Sequence, residues 1–281
     1  MDFKKGFKIK PDKIEADGGV LFTDGTNVDI VPNQQACEAY GYKYDIRTGS
    51  CIAFKNTNID SQFSNLTNKK QGEKNTFGNN THNTNIIGRE NKTLGENENC
   101  LISGTNNTIN STVNDATVLG GFGRALRYGE FVVGGGANDG RNTDNVPQFS
   151  VVVMSCNTTD NTTTDMLANG VANQYITLQK NSIVGYEIFV TRLETGGSSG
   201  TVGNFSYRHI KGVVRVKNNY SLTIENYNSR ILGKDGVNGT AAVAEVSTGN
   251  LGLQVSDRNN VNNSWSAVVY LHETLTNVEI T

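Results

Sequence analysis

Charge, proline and long apolar runs are all scarce in this chain. Charged side chains make up 19% of its 281 residues and almost cancel, leaving a net charge of -2. That balance lacks the basic footprint of a nucleic-acid-binding protein, so no nucleic-acid partner is expected. No apolar stretch approaches the roughly 20 residues of a membrane span, so no spanning helix is expected. The opening "MDFKKGFKIKPDKIEADGG" has lysines with no apolar run behind them. A secretory leader is therefore not expected, and synthesis would be cytoplasmic. With 3 prolines and few charges, the composition is not that of a disordered chain either. The 4 cysteines (Cys37, Cys51, Cys100, Cys156) form no CxxC pair and no metal-ligand spacing. Cys37 and Cys51 enclose a short loop that a disulfide would close in an oxidising compartment; reduced thiols are the alternative.

What the chain has instead is Asn, Thr, Ser and 31 glycines, a composition of turns and strands. Between Lys74 and Gly140 a beat recurs, an apolar pair followed by glycine and a polar, Asn-rich run: "IIG", "LISG", "VLGG", "VVGGG". Gly88, Gly104 and Gly120 stand 16 residues apart, and Gly134 follows after 14. A fixed short period of this kind predicts stacked coils of a solenoid. Glycine and asparagine would turn its corners, since both tolerate positive φ. Each coil supplies only one or two apolar side chains, worth about 1.5–3 kcal/mol each when buried. Ordering the backbone costs about 1–2 kcal/mol per residue. Association with further copies around an axis is the expected remedy.

Four parts are expected. Residues 1-54 form a lysine-rich N-terminal segment with short strands, in which the alternating Tyr40, Tyr42 and Tyr44 suit a strand with one aromatic face. Residues 55-74 form a linker or short stalk, with Ile59, Phe63 and Leu66 at helical spacing. Residues 75-146 form the repeat shaft. Residues 147-281 carry many short alternating runs, among them "FSVVVMSC", "SIVGYEIFVTRL", "FSYRHIKGVVRV", "WSAVVYLHETL" and a closing "VEIT". These predict an antiparallel sandwich, jelly-roll-like. The fold class is therefore all-β.

Catalytic, cofactor and metal residues are all expected to be none. His82, His209 and His272 lie far apart with no metal motif. Glu187 and Glu194 flank "IFVTRL", but an odd spacing on a strand sends them to opposite faces, which argues against a glycosidase pair. "GGG" at 134–136 reads as a turn or cap. The sequons at Asn65, Asn91 and Asn110 follow from composition.

The beats "IIGREN", "LISGTNNTI" and "VLGGFG" resemble the left-handed β-roll repeats of trimeric adhesin heads, which also occur in phage fibres. The C-terminal order, with Thr191-Arg192, Tyr207, Gly212 to Val214, Leu251 to Val255 and Trp265 to Thr274, is similar to a domain at the ends of phage fibre proteins. "SDRNNVNNSW" departs from that domain's usual turn before the tryptophan. "ACEAYGYKYDIRTGSC" resembles fibres of phages that infect gut Bacteroidetes. The resemblance implies a homotrimeric structural protein of the virion surface, a head or tail fibre, without enzymatic activity. Residues 1-54 would attach to capsid or tail proteins, and 147-281 would meet a host-surface glycan or receptor. The alternatives are a bacterial trimeric adhesin-type module and a fibre-borne polysaccharide depolymerase.

Overall fold

A computed structural model describes residues 2–15, 18–46, 48–53, 68–136, 147–276 and 278–281. The chain divides into two compact units, residues 1–63 and 64–281.

In the first unit β1 (Lys10–Ile14) pairs antiparallel with β2 (Val20–Thr23). A short helix, α1 (Gln34–Ala39), follows, and then β3 (Lys43–Asp45) pairs with β4 (Ser50–Ile52). Asn33 caps α1 by accepting a hydrogen bond from the Ala36 amide. The strand expected through Tyr40, Tyr42 and Tyr44 is corrected: Tyr40 ends the helix and β3 starts only at Lys43. All three tyrosines still serve one core, around Val20, Phe22, Cys37 and Cys51. Cys37 and Cys51 are joined by a disulfide at its centre.

The second unit opens with the solenoid: β5 (Lys69–Glu73), β6 (Asn85–Arg89), β7 (Lys92–Thr93), β8 (Leu101–Thr105), β9 (Thr108–Ile109), β10 (Thr117–Gly121), β11 (Arg124–Ala125) and β12 (Phe131–Gly135). β5, β6, β8, β10 and β12 form one parallel ladder, and β7, β9 and β11 a second. The ladder begins at Lys69, within the stretch read as a linker; Ile59, Phe63 and Leu66 lie outside the described residues. Ile86, Ile102, Val118 and Val132 stack in register and are fully buried, so the first ladder contributes one apolar side chain per coil to the core.

The corners are not glycine's work alone. Positive φ recurs at Lys74, Glu90, Asn106 and Phe122, at Asn80, Glu96 and Thr112, and at Asn83, Asn99 and Asp115, three left-handed turns per coil with no common residue type. The glycines of the beat have another task. A Cβ on Gly88 would lie 1.9 Å from the Gly104 carbonyl oxygen, so the rungs stack only because these positions are bare. Buried asparagines tie successive coils together. Asn91 Nδ2 donates to the Gly104 carbonyl, and Asn91 Oδ1 accepts from the Asn107 amide; Asn107 repeats both bonds with Gly120 and Gly123.

The C-terminal part adds β13 (Pro147–Thr158), β14 (Thr164–Ala168), β15 (Ile176–Thr177), β16 (Ser182–Gly196), β17 (Phe205–Val216), β18 (Leu222–Lys234), β19 (Thr240–Ser247), β20 (Asn250–Ser256) and β21 (Asn262–Leu275). The order β18-β17-β16-β21-β13 is antiparallel, and β13 pairs with β12, so the sheet runs unbroken into the solenoid. β14 pairs with both β13 and β20, which turns the hydrogen-bonded network into a second layer with β15 and β19. Between the layers lie Val152, Met154, Ile188, Leu253, Trp265 and their neighbours. "VEIT" is not a strand: Val278–Thr281 is irregular, tied by Ile280 to Asn181 and Asn218. The architecture is all-β, with α1 the helix found among the described residues.

Candidate functional site

A groove of about 660 Å3 runs where the solenoid meets the sandwich. Its floor is periodic. Glu90, Asn106 and Phe122 come from one row of corners, and Lys92, Thr108 and Arg124 from the short second ladder beside it. Its far wall is Gln179, Lys180 and Asn181 before β16, Asn218 after β17, and Leu275, Thr276 and Glu279 near the C-terminus. Phe122 holds φ at 61°, a costly conformation for a bulky residue, and thereby presents itself on this floor.

The polar groups are set by one another. Arg124 donates from its backbone to Gln148 (2.9 Å) and from its guanidinium to Gln179 (3.1 Å). Asn181 donates to Asn218, and Asn218 to Glu279 (2.9 Å). A hydrogen bond from Lys74 (3.1 Å), with Arg89 nearby, holds the Glu90 carboxyl below its ordinary range. The buried Gln179 Nε2 has no hydrogen-bond partner among the described residues. Amides and hydroxyls that both donate and accept, flanked by three cations, two carboxylates and one ring, suit a polyhydroxylated ligand. The 300–1,000 Å3 typical of ligand sites brackets the volume.

The residues weighed from the sequence do not converge. Glu187 points outward from β16, while Glu194 is 1% exposed on the opposite face. His209 stacks on Phe189 (4.6 Å) and meets Glu187 at 2.6 Å; His272 lies against Phe149 on the same outer face. His82 bridges Glu98 by backbone pairing. Among the described residues no cluster of three or more His, Cys, Asp or Glu is placed to hold a metal. Gly134 and Gly135 end the last rung. Asn91 is buried in the asparagine ladder, and Asn65 lies outside the described residues.

Two ion networks are buried. Arg127 is clamped between Glu130 and Glu273 at the junction, with Ser150 and Gln148 completing the shell. Arg192, Glu194 and Asp257, side chains wholly buried, join Arg258 at the turn before β21. The Arg127 network is closed to solvent, while the second reaches the surface at Arg258, whose side chain is 38% exposed; both brace loops. The groove itself was not foreseen, because its residues come from many segments that are each unremarkable.

No family model and no curated protein matches the chain. Among solved structures, it is similar to the tailspike protein of Acinetobacter baumannii phage AM24 (8% identity, TM-score 0.27, covering 74% of this chain and 56% of that one). It is also similar to tailspike gp49 of Acinetobacter baumannii bacteriophage Fri1, described as a capsular polysaccharide depolymerase (10%, 0.25, 68% and 38%). A third is the tailspike of Acinetobacter phage vB_ApiP_P1 (8%, 0.20, 75% and 49%). The chain thus spans about half the length of these proteins or less. At TM-scores this low none of them carries an argument about mechanism. The expectation of a chain without enzymatic activity is nevertheless corrected, since one neighbour is a depolymerase. The neighbours are from phages of Acinetobacter and give the narrower resemblance to phages of gut Bacteroidetes no support. Among the described residues no helix is long and apolar enough to cross a membrane.

Proposed function

We propose that the chain is a homotrimeric fibre-type protein of a phage particle that binds surface polysaccharide in the solenoid–sandwich groove. The observation that carries this reading is the groove's makeup: amides, charges of both signs and Phe122 on a periodic floor. The ladder from β5 through β12 into β13 supports the mechanical half, a stiff shaft continuous with the domain it presents. Residues 1-54 would attach to capsid or tail proteins, and repeated weak glycan contacts would be multiplied by avidity.

Calorimetry with purified capsular polysaccharides tests the groove. Binding is expected, with a tenfold or greater loss in Arg124→Ala and Lys180→Ala. Binding that survives both substitutions would remove the groove from the reading. An antibody to residues 147–281 that fails to label intact particles would remove the virion.

A second reading, cleavage of the bound polysaccharide, is favoured by Glu90 and Glu279 lining the same groove. Glycoside hydrolysis uses carboxylates in pairs. Release of oligosaccharides, abolished in Glu279→Gln with binding retained, would establish it.

A further inference from the structure

The outer face of the long sheet is free of charge over five consecutive strands. From β8 through β10, β12 and β13 to β21, the outward positions hold no Asp, Glu, Lys or Arg. In a chain with 19% charged residues, this is a segregated surface. What stands there is neutral, with apolar and aromatic residues set among Ser103, Thr117, Ser155, Ser266 and Thr274. Phe131 is 40% exposed, Val133 39% and Val153 51%. The register aligns Phe131 with Val151 and Tyr270, and Val133 with Phe149 and His272. Rings of Phe149 and Tyr270 stack at 6.1 Å, so the surface is packed in advance.

Charges resume on both borders. Lys69, Glu73 and Arg89 stand on the outer face of β5 and β6, and Glu187 and Lys211, which are register partners, stand on β16 and β17. A charge-depleted centre with a polar, charged rim is the anatomy of a protein–protein interface. Strands about 4.8 Å apart with about 3.4 Å per residue give the neutral centre roughly 700 Å2. That is close to the roughly 800 Å2 each partner gives to a standard interface. An exposed apolar surface of this size needs an occupant.

We infer that the occupants are the other copies of this chain, the faces formed by β8, β10, β12, β13 and β21 turning toward one another about a threefold axis. The neutral centre opposes its own copy without charge conflict, and the rim carries both signs. The inference rests on the proposal of a multimeric fibre and names the surface that closes it.

Light scattering on the full chain, at tens of micromolar, tests it with Val133→Glu and Val153→Glu made separately, and Thr163→Glu on a distant turn as control. The wild type and the control are expected to be oligomers. Each sheet-face variant is expected to be monomeric, with unchanged circular dichroism at low temperature. A monomeric wild type overturns the inference, whatever the polysaccharide measurements show. Folded variants that remain oligomeric overturn the face while leaving the multimeric fibre standing. If one variant fails to fold, the other decides. Loss of polysaccharide binding in Val153→Glu with a monomeric wild type would give the face to a glycan and overturn the inference.

Discussion

Gly104 lies so close to Gly120 on the next coil that a Cβ at Gly104 would sit 1.8 Å from the Gly120 carbonyl oxygen. No rotation of a side chain relieves this, because the obstacle is backbone. Gly104→Ala must therefore open the ladder as well as strain a φ of 134°. The loss expected is at the exceptional end for one substitution, about 4 kcal/mol or more. Gly203→Ala is the control: its φ is 96°, but nothing lies within 4 Å. Only the conformational term remains there, about 1–2 kcal/mol. Thermal melts of both variants check the difference; equal losses would show that close approach is not what glycine serves.

Asn107 is fully buried and holds three neighbours: it accepts from the Gly123 amide and donates to the Gly120 carbonyl and to Asn91 Oδ1. Asn107→Ala takes this partner from the Gly123 amide and the Gly120 carbonyl in a dry place, at about 1–3 kcal/mol each, while Asn91 Oδ1 keeps the backbone N–H of residue 107. A loss of at least about 2 kcal/mol is expected by urea titration. Asn106→Ala, one residue earlier at a corner, should cost far less.

The repeat was legible because its marks are chemically restrictive. Only glycine fits the rung contact at 88, 104 and 120, so the interval survives in the sequence. The long strands of the sandwich were legible by alternation, as in Trp265, Ala267, Val269 and Leu271, all buried. The corners were not, because Lys74, Glu90, Asn106 and Phe122 adopt one conformation under the direction of the stacked coils rather than by preference. Nor was α1: one Asn33 cap is invisible in a chain this rich in asparagine. Arg127 and Glu273 meet across 146 residues, and the groove draws on still more segments, so no local pattern announces either.

Arg127 shares its burial with two carboxylates. Burial pulls the guanidinium's pKa down, but Glu130 and Glu273 outweigh it and leave it raised. Glu130 is pushed above its ordinary 4.5, first by burial and then by Glu273, against the pull of Arg127. A carboxyl raised in the folded state binds its proton more tightly there than in the unfolded chain. Its contribution is fully present below pH 4.5 and is lost as pH rises through the raised value. Stability of residues 64–281 should therefore carry a component that falls from pH 4.5 upward. Denaturant titrations across pH should show a flatter profile in Glu130→Gln; an identical slope would place the titrating group elsewhere.

The disulfide between Cys37 and Cys51 acts on a unit with little else to spare. Its core is a handful of residues, with Phe22 and Tyr40 in edge contact at 5.6 Å. The bridge spans 14 residues, and closing a loop of about 15 is worth about 3 kcal/mol through the unfolded chain. In so small a core that is a large share of the stability. Cys37→Ser with Cys51→Ser should expose residues 1–63 to limited proteolysis while residues 64–281, which contain no disulfide among the described residues, resist as before. Reduction of the wild type should reproduce the pattern. Equal resistance with and without the bridge would mean that the aromatic contacts around Phe22 hold the unit by themselves.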